Sequence, residues 1–376
     1  MIKPFILFSA ILLLVGCSTK NNNSQDEVNT IEWDSLISQK PNLCSNLKTC
    51  VLKQSEKHPV GEVLQMVIAD SLIFVRDNQE KVFEFKENGE FVCTIGRKGN
   101  AASEYIFMQN FSVDTLQNLV YIYDVMKGIK KYNYKGEYMG SYSFNVADEC
   151  KANISKTYLI DSEHLLCLNK LFSGNPYNYL LIDMTTSEYQ KLLPQILTSD
   201  RGIHFSQHVS ISNDKVWAIA SMSDTIYTAS STGITPAYLL NTPLRHATAD
   251  DFSGFSDSEF FEAMSYASQS GISKGIRKIF ATDRFLLFTY QLEKEPYYVL
   301  YDTYKAEGYK WQCGMGFSLW SNIICTSKDK FVCLFDKELY SLFMESRQGN
   351  ADTDLVMPEE LDDNSIVLLY FTPEMI

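Results

Sequence analysis

The sequence is poor in the residues that carry most enzymatic and metal chemistry. It has five histidines in 376 residues: His58, His164, His204, His208 and His246. Only His204 and His208 lie close together. On a helix their spacing would put two imidazoles on one face for a metal. "GIHFSQHVSIS" instead runs into a strand, where four residues span about 13 Å. That leaves polar residues at a strand entry as the plainer reading and a shared metal only if the chain bends. No Cys-x-x-Cys pair occurs among the nine cysteines, which removes zinc-ribbon and thioredoxin readings. There is no Gly-x-Ser-x-Gly elbow and no P-loop. "GMGFS" (Gly314 to Ser318) falls between groups of strands, not between a strand and a helix, so it carries no phosphate-binding argument. Positive charge is scarce too: 33 Lys and Arg against 46 Asp and Glu leave a net −13. Such a surface repels phosphate backbones, and nucleic acid is not an expected partner. The apolar run Phe5 to Val15 is shorter than the roughly 20 residues that span a bilayer.

That short run has another use. Lys3 precedes it, and Leu14-Val15-Gly16-Cys17 ends it. This order resembles the lipobox of bacterial lipoproteins. The resemblance implies cleavage after Gly16 and lipidation of Cys17, with residues 1–16 as signal peptide and 17–30 as a polar, Asn-rich tether. Several acyl chains, at about 0.8 kcal/mol per buried methylene, hold a protein on a membrane without a transmembrane helix. Export permits disulfides. Yet Cys93 in "FVCTI", Cys167 in "LLCLN" and Cys333 in "FVCLF" sit in apolar runs, where Cys acts as a small hydrophobe. Cys44 and Cys50 are the one close pair in a loop and the one candidate bridge.

What the chain has in abundance is repeated strand text. "FEFKENGEF" (Phe83 to Phe91) and "KYNYKGEYM" (Lys131 to Met139) write one phrase twice, with turn glycines Gly89 and Gly136 47 residues apart. Asn88-Gly89 is a strong two-residue hairpin signal, because both positions take positive φ readily. A period in the forties with several short strands per unit marks a propeller blade. In the first unit "EVLQMVIA", "SLIFVRD", "KVFEFKE" and "EFVCTIG" are separated by turn residues. Opening strands recur near 65, 110, 157, 208, 277 and 322. The expected fold is therefore all-β: a six-bladed propeller of four-stranded antiparallel blades over residues 31–376. "KTCVLKQ" (Lys48 to Gln54) precedes the first unit as an orphan strand and is expected to complete the sixth blade. Two interruptions, at about 250 to 270 and 337 to 346, read as helices. The repeated phrase becomes the outer hairpin of a blade, its aromatics between sheets and its turn toward solvent. A two-sheet sandwich with a separate domain is the alternative.

These features together resemble the six-bladed propeller lipoproteins of gut Bacteroidetes, similar in turn to NHL-repeat propellers. After the first blade that family has Gly, a spacer, then Gly-x-Gly-Pro-Gly-Glu-Tyr. Here "IGRKGNAASEYIFMQNF" matches at Gly96, Gly99, Glu104 and Tyr105, while Ala101, Ala102 and Ser103 replace Gly-Pro-Gly. "SDTIYTASSTGITPAYLL" resembles the fourth-blade phrase. "LDDNSIVLLYF" resembles the family ending, with Asn364-Ser365 in place of Asn-Pro. The resemblance implies a fold, a cell-envelope location, and binding proteins near glycan-uptake systems.

For chemistry, "GRKGNAASEY" is the best local candidate. Arg97 and Lys98 put two cations in a glycine-flanked loop of an acidic chain, and Glu104 and Tyr105 either tie that loop to the next blade or join a ligand contact to an anion or sugar. Asp124, Asp183 and Asp302 follow apolar runs and are turn caps or, on a sharper reading, a ring of carboxylates. Trp217, Trp311 and Trp320 fill the core or form a sugar-stacking surface. The expected function is a membrane-anchored extracytoplasmic binding module for a glycan, a peptide or an envelope protein. It needs no cofactor and sits on the cell envelope, at the outer membrane. The alternative is an enzyme of lactonase or lyase type using a metal in the channel.

Overall fold

Strands such as Leu72–Asp77 and Val82–Lys86 are buried at nearly every position rather than every second one. A sheet does this only when both of its faces are covered. The computed structural model describes residues 28–41, 47–54, 57–203, 209–212, 215–292, 294–314, 319–346, 361 and 364–374. It shows why: six sheets stand in a ring, each covered by its two neighbours. From inside outward, blade 1 is Val63–Ala69, Leu72–Asp77, Val82–Lys86 and Phe91–Ile95. Blades 2, 3, 4 and 5 repeat this order from inner strands Met108–Asp114, Ile154–Leu159, Val209–Ser212 and Ile276–Ala281. Blade 6 takes Ile323–Ser327, Lys330–Phe335 and Ile366–Phe371 from the end of the chain. Its outermost strand is Lys48–Leu52, antiparallel to Ile366–Phe371. The orphan strand thus closes the ring, as expected.

Cys17, Cys44, His204 and His208 lie outside the described residues, as do the signal segment and most of the tether. The chain is already in strand at Asn29–Glu32, which pairs in parallel with the outer strand of blade 4 as a fifth strand. Ile37 then bridges Tyr309 on the outer edge of blade 5. The N-terminal segment therefore straps blades 4, 5 and 6 in turn. Nothing in its sequence period announces the first two contacts.

Six apolar layers, one between each pair of blades, form the core. Phe83 and Phe85 fill the layer between blades 6 and 1, and Tyr132 the layer between blades 1 and 2. Burying one such ring is worth about 1.5–3 kcal/mol. At the centre, side-chain amides clasp adjacent inner strands. Gln65 bonds both the N–H and the C=O of Phe111 (3.1 and 2.7 Å), and Asn110 does the same to Thr157 (3.0 and 2.6 Å). Five inner strands carry a register shift near their start, at Val63/Gln65, Met108/Asn110, Ile154/Lys156, Ile276/Lys278 and Ile323/Cys325. Such bulges bend a strand and re-aim its side chains.

The repeated phrase is the outer hairpin, with two corrections. The turn is longer than two residues. Lys86 N–H donates to Glu90 O (2.8 Å) and Gly89 N–H to Lys86 O (2.9 Å). Only Gly89 has positive φ, at +82°, so this is a turn closed by a glycine bulge. Nor does the glycine simply face solvent. A Cβ on Gly89 would lie 2.0 Å from Val51 O of blade 6, and one on Gly136 2.5 Å from Thr94 O of blade 1. Lys53 N–H also donates to Gly89 O (2.8 Å). The phrase recurs because each such turn seats its glycine on the outer strand of the preceding blade.

The two faces of the ring differ. Strand direction alternates, so connections from second to third strand, and from fourth strand to the next blade, emerge together. On the opposite face, strands join through turns of two to five residues. Among the described residues, all three α-helices sit in connections of the first kind: α1 (Asp148–Asn153), α2 (Phe260–Gln269) and α3 (Lys337–Ser346). The two longest connections, 242–275 and 336–365, hold α2 and α3, matching the expected interruptions; α1 was not anticipated. α2 turns Phe260, Ala263 and Ala267 onto Leu171, Leu197, Phe252 and Ile272, a small core of its own. Its surroundings are opened by capping boxes at Thr248/Asp251 and Ser256/Glu259.

Candidate functional site

The loop singled out in the sequence, residues 96–107, lies on the helix-bearing face and carries blade 1 into blade 2. Arg97, Lys98, Glu104 and Tyr105 come together there. Glu104 is 11 % exposed and accepts from Arg97 Nε and from the Ala101 N–H (2.9 Å). Those two bonds, the backbone one first, hold its carboxyl below the usual range. A Cβ on Gly99 would strike Glu104 Oε2 at 2.1 Å, so glycine is needed to let the carboxylate in. Tyr105 is buried and donates to Glu80 O (2.8 Å); burial raises its phenol. Lys127 Nζ donates to the carbonyls of Gly99, Ala101 and Glu104 (3.3, 3.0 and 3.1 Å), and Tyr132 OH to Ser103 O (2.8 Å). Blade 2 thus grips the loop along its length. Lys98 pairs with Glu80 (3.0 Å), while the Arg97 side chain is 80 % exposed. Glu104 spends its carboxylate on the loop itself and Tyr105 its hydroxyl on the blade 1 turn at Glu80; Arg97 is the member that faces outward.

The other sequence candidates separate cleanly. Asp124, Asp183 and Asp302 each accept from backbone N–H groups of the turn that follows. Asp124 caps a turn on the helix-bearing face, while Asp183 and Asp302 cap turns on the opposite face. They form no ring. Trp217 and Trp320 are core residues. Trp311 is half-buried and lines a rim cavity of about 340 Å³ with Trp33, Tyr297 and Lys310. Cys167 and Cys333 are fully buried and Cys93 partly so.

Two groups were not legible in the sequence. The first ties the 242–275 connection to blade 4. Buried Asp224 accepts from Ser273 Oγ (2.5 Å) and bonds His246 Nδ1 (2.5 Å), and Tyr290 OH reaches Ser273 Oγ (2.9 Å). Burial lifts the Asp224 carboxyl, against the lowering by Ser273 and His246. Asp224 stands between the serine and the histidine, so the serine is not poised on the imidazole as in a nucleophile–base pair. The second is a set of cations where the inner strands begin. The first four residues of the five bulged inner strands read VLQM, MQNF, ISKT, IRKI and IICT. They contain Lys156, Arg277 and Lys278 and no carboxylate, in a chain with more acids than bases. Arg76, at the end of the second strand of blade 1, donates Nη2 to Met108 O (3.0 Å) over the same edge. Among the described residues no three His, Cys, Asp or Glu side chains are grouped to hold a metal. The starts of the five bulged inner strands offer no cluster of oxygen ligands of the kind a divalent cation needs.

Ring, closure and blade pattern define a six-bladed β-propeller with one elaborated face. Within that class the chain belongs to the DUF4934 family, a domain of unknown function, whose model matches residues 42–371. A search of curated proteins gave no match. Among solved structures, the chain is similar to a Bacteroides fragilis NCTC 9343 protein described as exported. Identity is 18 % and the TM-score 0.68, over 92 % of this chain and 100 % of that one. It is also similar to a member of the DUF4221 family from Bacteroides vulgatus ATCC 8482. There identity is 10 % and the TM-score 0.54, over 89 % of this chain and 99 % of that one. At these identities the likeness speaks for the fold.

Proposed function

We propose that this propeller is a lipid-anchored binding module of the cell envelope, held through Cys17 at the outer membrane, whose ligand face is the helix-bearing one. The observation that carries the reading is the asymmetry of the ring. One face consists of minimal turns. The other carries the three described α-helices and the long connections, with Arg97, Phe107, Met126 and Phe261 exposed on it. Loops on a rigid scaffold are where proteins place recognition, and concave mouths are where ligands settle. The description of the B. fragilis protein as exported agrees with an extracytoplasmic place. A glycan, a peptide or an envelope protein would each fit such a face.

The test is a thermal-shift screen of the mature chain against host and plant glycans, calcium and zinc, with and without chelator. A ligand of the native state raises the melting temperature by mass action. A glycan-specific rise that chelator leaves alone supports the binding module; a rise that requires metal overturns it in favour of metal chemistry. For the anchor, Cys17→Ala is expected to move the protein from the membrane to the soluble fraction.

A further inference from the structure

One cation at the channel mouth, Lys156, has no structural employment that accounts for it. Lys156 stands in the first strand of blade 3, mostly withdrawn from water, where the equivalent Asn110 of blade 2 makes an amide clasp. Among the described residues its amine has neither an ion pair nor a hydrogen bond. Its one electrostatic neighbour is another cation, Arg76. Burial first and Arg76 second hold the Lys156 amine below the ordinary lysine range. Arg76 reaches toward the same spot from blade 1, over the start of the blade 2 inner strand, and its buried Nε has no partner. Its neighbouring carboxylates are engaged elsewhere. Asp77 accepts from the N–H groups of Gly61, Gln79 and Lys81, and Glu80 from Lys98 and the Met108 N–H.

Lys156 is partly desolvated with no carboxylate beside it. Arg76, although Glu80 and Asp77 act on it electrostatically, forms no ion pair with either. Desolvated charge left in this state costs stability. A structural role would supply a carboxylate, and this chain has carboxylates to spare. We infer that the channel mouth over the start of the blade 2 inner strand is an oxyanion-binding site, with Arg76 and Lys156 as its walls, for a carboxylate, sulfate or phosphate group carried by a small ligand. The guanidinium offers its free Nε–H in the plane of its fork and the ammonium a point charge, a pairing suited to an oxyanion. The inference deepens the proposed function by naming the charge of the ligand, and rests on the helix-bearing face being the binding face.

The test titrates the mature chain with phosphate, sulfate and citrate at constant ionic strength, with chloride as reference, reading the melting temperature. The expected result is a rise beyond chloride at low millimolar anion. The ranking of the three probes tells which oxyanion the site prefers. Lys156→Met should melt higher than the parent without anion, because a buried unpaired charge is gone, and its anion response should weaken at least about tenfold, the worth of about 1.4 kcal/mol. Lys156→Gln, which keeps a polar side chain, should lose the response likewise if the methionine variant misfolds. Lys48→Met, at a distant exposed ion pair with Glu87, should keep it. A parent that responds to the three probes no more than to chloride, or a response retained in the folded Lys156 variants, overturns the site. A glycan or protein shift surviving in those variants would remove the oxyanion site and leave the binding face intact.

Discussion

Replacing Gly89 by alanine perturbs one methyl group and tests the account of why the chain repeats its phrase. At φ +82° an L-residue pays about 1–2 kcal/mol that glycine does not. The added Cβ would meet Val51 O at 2.0 Å and Val51 C at 2.9 Å, backbone atoms of blade 6 that cannot swing aside. Forcing the hairpin away from that strand costs about 1–3 kcal/mol as overpacking. It also stretches the Lys53 N–H bond to Gly89 O, worth about 1 kcal/mol. The sum is about 3–6 kcal/mol, at the seam where the two ends of the chain meet. Gly271→Ala is the control: its φ is +64°, yet no atom lies within 4 Å of the new Cβ, so only the backbone cost of about 1–2 kcal/mol applies. Gly136→Ala, with its nearest atom at 2.5 Å, should fall between the two. Urea unfolding followed by tryptophan fluorescence would measure them, with Gly89→Ala shifting the midpoint by about 1 M. If Gly89→Ala loses no more than Gly271→Ala, the turn is not a seat on the neighbouring blade and the reasoning fails.

Buried Glu84 carries the next prediction. Desolvation raises its carboxyl to about 7. A carboxyl whose folded value lies above its unfolded one lends stability below the unfolded value and loses it as pH climbs through the folded one. Glu84→Gln should therefore be near neutral at pH 4 and more stable than the parent at pH 8, by up to about 3 kcal/mol; a gain independent of pH would contradict this. Asn110→Ala strips the side-chain partner from the Thr157 N–H and leaves the C=O with Ser112 Oγ alone (3.2 Å), and should cost about 1–3 kcal/mol by denaturant melts. In the 96–107 loop, Glu104→Ala should speed limited proteolysis of that segment more than Arg97→Ala does, since Glu104 organises the loop and Arg97 points out of it. Equal cleavage would assign both side chains the same role.

The sequence by itself determined what depends on local pattern and period. Strand runs, turn residues and a spacing in the forties are written along the chain, so the six opening strands, both long helices and the strand that closes blade 6 were legible. Residues such as Phe85 and Tyr132 read correctly as inter-blade packing because burial on both faces leaves a mark in composition. Tertiary structure alone decided what depends on two distant segments meeting. Gly89 looks like an ordinary turn glycine until Val51, 38 residues earlier, is found against it. Asp224 lies in one loop and His246 and Ser273 at opposite ends of another, and no spacing rule joins them. Asn29–Glu32 carries no period because it borrows its partner, the outer strand of blade 4, from another repeat. Lys156 left one trace, a charge inside the apolar run "NISKTYLI", but its meaning came from Arg76 two blades away. Pattern fixes which face of a strand is buried; only closure of the ring decides which charges are brought together at its mouth.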